Sequence, residues 1–188
     1  MTPAVQSILI VTVISFILQG AAGGQMVMNF ALWPLNGPFM PWQVLSYAFL
    51  HGNLMHLLFN MYGLWMFGRE LELLLGRKVF FQLYFASVLA AGIMQVLVTT
   101  FTGGMYPTVG ASGGVFGILL AYAMFFPNRM IMLLIPPIPM RARTFVFIYA
   151  ALELYLGVTG TQAGVAHFAH LGGMIGGYLV LANRGRRR

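Results

Sequence analysis

The chain has 188 residues, of which 60% are hydrophobic and only 7% are charged, and its formal net charge is +7. A soluble domain has roughly a quarter of its residues charged, so this composition excludes an ordinary soluble protein and indicates a membrane protein. The sequence contains no cysteine and no aspartate, which excludes disulfides, a cysteine nucleophile, cysteine-based metal sites and a Ser-His-Asp triad.

Six apolar stretches follow one another along the chain, and several approach the ~20 residues that a helix needs to cross a bilayer. They cover residues 4–19, 52–67, 79–99, 112–127, 144–159 and 165–182. Segments rich in glycine, proline or charge separate them, and the prolines within 136–139 cannot continue a helix. The pattern predicts an all-α bundle of six transmembrane helices in one membrane domain over residues 1–188. We expect the first stretch to be a retained span, because no basic region precedes it.

All basic residues fall on one side of this six-span topology. Three follow the second stretch, three follow the fourth and four follow the sixth: Arg69, Arg77, Lys78, Arg129, Arg141, Arg143, Arg184, Arg186, Arg187 and Arg188. The positive-inside rule assigns that side to the cytoplasm, so both termini are predicted to be cytoplasmic. We interpret the arginines at the end of the chain as a topology anchor attracted to anionic lipid, and we do not expect nucleic acid as a partner.

Polar side chains cluster near the outer ends of the second, fourth and sixth stretches. Ionisable and polar groups at membrane depth are costly, so each of them is a functional candidate. The candidates are His51 just before the second stretch, His56 and Asn60 within it, Ser112 in the fourth, and His167 and His170 in the sixth. His56 and Asn60 are four residues apart and therefore share one face of a helix.

Glycine spacing predicts that the fourth and sixth helices pack closely against each other. Glycines four residues apart let helix backbones approach in lipid, and they occur as Gly113/Gly117, Gly172/Gly176 and Gly173/Gly177. The two helices run parallel in the six-span topology, so aligned glycine faces bring Ser112 and His170 to nearly the same level. A serine hydroxyl beside a neutral imidazole is the nucleophile and base pair of covalent catalysis.

Donors for a developing oxyanion are also predicted in this region. The backbone N–H of Ser112 begins a helix, where the helix dipole favours negative charge, and His56 and Asn60 add imidazole and carboxamide donors. The fourth stretch has only about 16 residues and is therefore roughly 24 Å long, which is shorter than a hydrocarbon core of ~30 Å. We therefore expect Ser112 at the floor of a recessed, water-accessible depression.

With these residues in place, nearly the whole chain resembles the rhomboid intramembrane serine proteases of the bacterial six-span type. The GASG sequence at 110–113 resembles the nucleophile motif, HGNLMHLLFN at 51–60 the second-helix motif, and AHFAHLGGMIGG at 166–177 the last-helix motif. The register of the last motif selects His170 over His167. One departure is Trp42-Gln43, where the family often has Trp-Arg, so an anchoring salt bridge in the first outer loop is not expected.

The resemblance implies a serine endopeptidase in which Ser112 is the nucleophile and His170 is the general base and acid. It assigns the oxyanion site to His56, Asn60 and Ser112, and gives supporting roles to Phe116, Gly110, Gly113, Gly173 and Gly177. Phe116 is expected to pack under the catalytic imidazole. No cofactor and no metal are implied. The expected substrates are transmembrane segments of membrane proteins within the lipid bilayer of a bacterial-type inner (plasma) membrane, with the site opening toward the outer face.

Two alternatives remain at this point. Four histidines suit zinc, so a metalloprotease or metal transporter was considered, although the His-Glu-x-x-His helix is missing. A catalytically inactive rhomboid-like protein that binds transmembrane segments is the second alternative, and it is expected to lack either Ser112 or His170. We expect structural hydrogen bonds for His51 and His167, and we assign no catalytic role to Glu153.

Overall fold

The computed structural model describes residues 1–132, 137–160 and 166–185, and it is predominantly helical. Its elements, in chain order, are α1 (Pro3–Ala22), α2 (Gly24–Phe30), α3 (Gln43–Ser46), a 3₁₀ turn (Tyr47–Phe49), α4 (Leu54–Leu75), α5 (Arg77–Thr102), α6 (Ser112–Phe125), β1 (Met130–Met132), β2 (Pro139–Arg141), α7 (Ala142–Thr159) and α8 (His167–Gly185). Each predicted apolar stretch overlaps one of the six long helices. The chain is therefore a helical protein with several apolar helices, as composition predicted.

Not all of the long helices have the length and hydropathy of a membrane span. Among the described residues, α1, α5 and α7 are long and apolar enough to cross a membrane, and α6 is apolar but shorter. The prediction for the second stretch ended too early, because α4 continues to Leu75. Charged side chains in its last turns do not interrupt the backbone hydrogen bonds, and the helix ends only at Gly76, whose φ is +79°. The left-handed region suits glycine at such an end.

Two small elements lie in segments that were predicted only as connections between the apolar stretches. Helix α2 begins directly after Gly23, whose φ of +57° separates it from α1. The antiparallel pair β1–β2 flanks the proline-rich connector and aligns Ile131 with Met140. Residues 133–136, 161–165 and 186–188 lie outside the described residues, and with them the predicted start of the sixth stretch at residue 165 and the terminal Arg186, Arg187 and Arg188.

Helix α8 packs through glycine against two neighbours. A β-carbon on Gly173 would overlap the carbonyl oxygen of Gly113, and one on Gly177 would lie 2.9 Å from the carbonyl oxygen of Gly117, both on α6. The other pair, Gly172 and Gly176, instead contacts the α5 backbone at Ala90 and Ala86. The glycine pairs of α8 are therefore divided between α6 and α5. This contact sets the first turn of α8 beside the first residue of α6.

The first helix is fixed at its beginning by a carboxylate from α4. Oε1 of Glu72 accepts a hydrogen bond from the backbone N–H of Ala4 at 2.8 Å, and Oε2 accepts one from Val5 at 2.9 Å. The first N–H groups of a helix have no partner within the helix, and the dipole there favours negative charge. Glu72 thereby places the start of α1 at the level of the end of α4.

The segment between α2 and α3 is held by Gln43, a fully buried residue. Its Oε1 accepts hydrogen bonds from the backbone N–H groups of Trp33 at 3.3 Å and Met40 at 3.1 Å. Its Nε2 lies 3.3 Å from the carbonyl oxygen of Met28 and 3.4 Å from that of Pro38. A neutral amide therefore anchors this loop at the position where the sequence departs from Trp-Arg.

Replacing Gln43 with alanine is expected to lower the free energy of unfolding by roughly 1–3 kcal/mol, because buried backbone groups lose their partners. Thermal unfolding in detergent measures the effect. Gln6→Ala is the matched control, since Gln6 is exposed on α1 and exposed substitutions usually change stability by less than about 0.5 kcal/mol. Equal melting temperatures for the two variants would contradict an anchoring role for Gln43.

Candidate active site

Ser112 is the first residue of α6, and the turn before it depends on glycine. Gly110 has a φ of +128°, a conformation that residues with side chains rarely adopt, and its N–H donates to the carbonyl of Tyr47 at 3.0 Å. A β-carbon at Gly110 would also lie 2.7 Å from Cε1 of the His56 ring. The GASG sequence thus permits both the turn into α6 and the close approach of His56.

Ser112 and His170 meet across the junction of α6 and α8. Oγ of Ser112 lies 2.8 Å from Nε2 of His170, which is a normal hydrogen-bond distance. The His170 ring stacks on Phe116, with 4.3 Å between the ring centroids and an angle of 4° between the planes. Phe116 lies one turn after Ser112, so the same helix that carries the hydroxyl also supports the imidazole. This arrangement can transfer a proton from Oγ to Nε2.

His51 fixes the backbone just before Ser112. Its Nε2 accepts a hydrogen bond from the N–H of Ala111 at 3.4 Å, and its own backbone is held on both sides by the amide of Gln19. Burial, with a smaller contribution from His56, lowers the pKa of His51 to about 4. The ring is therefore neutral at ordinary pH, so Nε2 is free to accept. The expected structural hydrogen bond of His51 is present, and it reaches the turn before Ser112.

His56 and Asn60 line the same cavity as Ser112 and His170. This cavity has a volume of about 750 Å³. The side chain of Asn60 donates one amide hydrogen to the carbonyl of His56 at 2.9 Å, and a carboxamide carries a second hydrogen for another acceptor. The first backbone N–H groups of α6, including that of Ser112, have no partner within the helix. Several potential donors therefore line the cavity that contains Ser112.

Glu153, for which the sequence predicts no catalytic role but allows pairing with a neighbouring polar group or a position facing the substrate path, joins this site from α7. Its Oε2 lies 2.6 Å from Nδ1 of His167 and 3.0 Å from Nδ1 of His170. The His167 contact is the cross-helix hydrogen bond that we expected. An ionisable residue within the apolar fifth stretch was itself a signal of function. Its neighbours could not be read from the sequence, because they depend on how α7 packs against α8.

The same three residues are a candidate group for binding a metal ion. One ligand atom from each of Glu153, His167 and His170 lies within 4.8 Å of the others. Two ligands around a tetrahedral zinc are about 3.3 Å apart, since each bond is about 2.0–2.1 Å. The 2.6 Å between His167 and Glu153 is shorter than this and has the length of a direct hydrogen bond. The pair His167 and Glu153 is therefore hydrogen-bonded as it stands and would have to separate to admit zinc.

Known proteins resemble this chain over most of its length. A family model described as the rhomboid domain matches residues 38–187. The mitochondrial Rhomboid protein 1 of Saccharomyces cerevisiae is 32% identical over 138 residues, which are 72% of this chain and 40% of that protein. Rhomboid protease GlpG of Klebsiella pneumoniae is 34% identical over 129 residues, or 68% of this chain and 45% of that protein.

Rhomboid protease GlpG of Yersinia pestis matches a longer part, with 29% identity over 184 residues, or 95% of this chain and 61% of that protein. The chain thus spans between 40% and 61% of the length of these three relatives. The match of the rhomboid domain covers most of the chain, and it includes the residues of the cavity described above. The chain belongs to the rhomboid family.

Proposed function

We propose that the chain is an intramembrane serine endopeptidase that cleaves peptide bonds in or near transmembrane segments of membrane proteins. The observation that supports this most is the 2.8 Å distance between Oγ of Ser112 and Nε2 of His170, within a cavity that also presents His56 and Asn60. Two of the relatives named above are proteases by description. The proposed reaction needs no cofactor.

In the proposed reaction, Oγ of Ser112 attacks the carbonyl carbon of the scissile bond while Nε2 of His170 takes the hydroxyl proton. The carbonyl oxygen becomes negative and accepts hydrogen bonds from the Ser112 N–H, His56 and Asn60. The C–N bond then breaks, and His170 returns the proton to the leaving amine. Water, deprotonated by His170, hydrolyses the acyl-enzyme and regenerates Ser112.

The proposed topology has the six long helices as six membrane spans of a single rhomboid domain over residues 1–188, with both termini in the cytoplasm. In this arrangement Ser112 lies at the outer end of α6, and Arg129 lies beyond its inner end. Helix α6 has 14 residues and is therefore about 21 Å long, so the cavity lies below the outer surface of the ~30 Å hydrocarbon core. We place the protein in a bacterial-type plasma membrane, with the cavity open to the outer side.

A fluorophosphonate probe tests the proposed nucleophile directly, since it phosphonylates an activated serine without needing a membrane substrate. Wild-type protein is expected to be labelled, and Ser112→Ala is expected to remain unlabelled. Ser7→Ala is the matched control, because Ser7 is a partly buried residue of α1 whose hydroxyl donates, among the described residues, only to the carbonyl of Pro3. Labelling that persists in Ser112→Ala would contradict the assignment. An unlabelled wild-type protein would favour an inactive, segment-binding member of the family.

The oxyanion donors are expected to act mainly on the chemical step. Asn60→Ala and His56→Ala should each lower kcat about 10²-fold with little change in KM, because the donors bind a charge that exists only in the transition state. Cleavage of a reconstituted transmembrane substrate at several concentrations measures both constants. Asn183→Ala is the control, since Asn183 is exposed on α8. A rise in KM at unchanged kcat would instead assign the two residues to substrate binding.

A further inference from the structure

We infer that Glu153 is a positioning residue for His170. Ser112, His170 and Glu153 then act together, with the imidazole of His170 between the hydroxyl and the carboxylate. This inference rests on the proposed function, and it replaces the expectation of a serine and histidine pair without a carboxylate. The residue types differ from those of a Ser-His-Asp triad only in the acid, and the glutamate comes from a separate helix. The geometry that carries the inference is the contact of one carboxylate oxygen with Nδ1 of His170.

The two nitrogens of His170 face different partners. Nε2 lies 2.8 Å from Oγ of Ser112, and Nδ1 lies 3.0 Å from Oε2 of Glu153. A neutral imidazole has one protonated nitrogen and one acceptor nitrogen. A base that takes the proton of Ser112 must keep Nε2 unprotonated, so its hydrogen must be on Nδ1. A carboxylate facing Nδ1 favours that tautomer and stabilises the imidazolium formed when Nε2 accepts the proton.

The carboxylate itself is held in place by the neighbouring histidine. Glu153 is only 7% exposed and lies in a helix that is otherwise apolar in this region, where an unpaired charge would be costly. His167 lies 2.6 Å from the same oxygen that faces His170. Because His167 and His170 are three residues apart on α8, they present two imidazoles to one carboxylate. His167 therefore fixes the oxygen toward which His170 points.

The main test compares Glu153→Gln with wild type, using the full chain in proteoliposomes. The amide keeps the size of the side chain and removes its charge. We expect kcat to fall roughly 10- to 100-fold, the range of a single interaction with a charged group, because the amide no longer stabilises the positive charge of the imidazolium, while KM changes less than about 2-fold. The rate constant for fluorophosphonate labelling of Ser112 should fall by the same factor, because labelling uses the same base but no transmembrane substrate.

Glu70→Gln is the matched control, since it removes the same charge from a partly exposed glutamate whose carboxylate lies 3.6 Å from Arg129. Its kcat and labelling rate should match those of wild type. If Glu153→Gln lowers cleavage but labels at the wild-type rate, Glu153 acts on substrate entry and the inference is overturned. Unchanged cleavage and labelling in Glu153→Gln would overturn it as well. Failure of the proposed function is a separate result, in which wild-type protein neither cleaves nor labels.

A measurement on wild-type protein keeps the inference testable even if Glu153→Gln does not fold. In protein labelled with ¹⁵N-histidine, nitrogen NMR distinguishes a protonated from an unprotonated ring nitrogen, and comparison with His170→Gln assigns the His170 signals. We expect the hydrogen of neutral His170 on Nδ1, and finding it on Nε2 would overturn the inference. Cleavage should also be unchanged by a zinc chelator, whereas loss of activity that zinc restores would identify the three residues as metal ligands and overturn it.

Discussion

Ser112→Ala, His170→Ala and the double variant are expected to lose proteolysis by the same factor, on the order of 10³- to 10⁶-fold. The hydroxyl and the imidazole act as one unit in the proposed reaction, so removing either of them removes the covalent route. Residual cleavage would come from the oxyanion donors and from substrate binding. The fold should persist, because neither substitution removes a large buried apolar side chain.

Cleavage of a reconstituted transmembrane substrate, followed to long times, measures the residual rates, and thermal unfolding checks that the variants are folded. Losses that add up in the double variant would contradict a shared role, since independent groups contribute independently to the activation free energy. Wild-type cleavage by Ser112→Ala would remove the assignment of Ser112 as the nucleophile. Absence of cleavage by the wild-type protein, together with equal binding of membrane segments by wild type and Ser112→Ala, would support the inactive alternative.

Gly173→Ala is expected to lower cleavage by about 10²-fold or more, although Gly173 is not a group that reacts. The added methyl group would overlap the carbonyl of Gly113, so α8 must move away from α6. His170 lies three residues before Gly173 and moves with it. A misplacement of about 1 Å at a reacting group costs roughly 10²-fold in rate, and overpacking of this kind also costs about 1–3 kcal/mol of stability.

Fluorophosphonate labelling and thermal unfolding of Gly173→Ala measure these two effects on the same sample. Gly20→Ala is the matched control, because a β-carbon at Gly20 meets no atom within 4 Å. That variant should label and unfold like wild type. Wild-type labelling by Gly173→Ala would show that the contact between α6 and α8 does not hold the hydroxyl and the imidazole together.

The parts of the fold that could be predicted from the sequence are those encoded in local patterns. Apolar stretches located the six long helices, and glycines four residues apart indicated that α8 packs closely in the membrane. The structure divides those glycines between α6 and α5, which sequence spacing cannot distinguish, because both pairs satisfy the same rule. The end of α4 was missed for a related reason, since hydropathy ends at the charged residues while the backbone hydrogen bonds continue.

The parts that could not be predicted depend on contacts between distant segments. Gln43 is one of few polar residues in a mostly apolar loop, and its role arises only where the backbone carbonyls and N–H groups of the loop converge on it. Glu153 is a single acid in an apolar helix, and no short motif connects it with His170. The proposed nucleophile and base could be identified from the sequence because each lies in a glycine motif, whereas Glu153 has no such marker.

The contact between Glu72 and the start of α1 has a consequence for the order of assembly. The two partners are 68 residues apart in the chain, and membrane proteins are synthesised from the amino terminus. In the proposed topology the first helix is therefore synthesised before its anchoring carboxylate, and the amide groups of Ala4 and Val5 need water or lipid headgroups as partners until then. Docking of the first helix through this contact consequently cannot precede synthesis of α4 as far as Glu72.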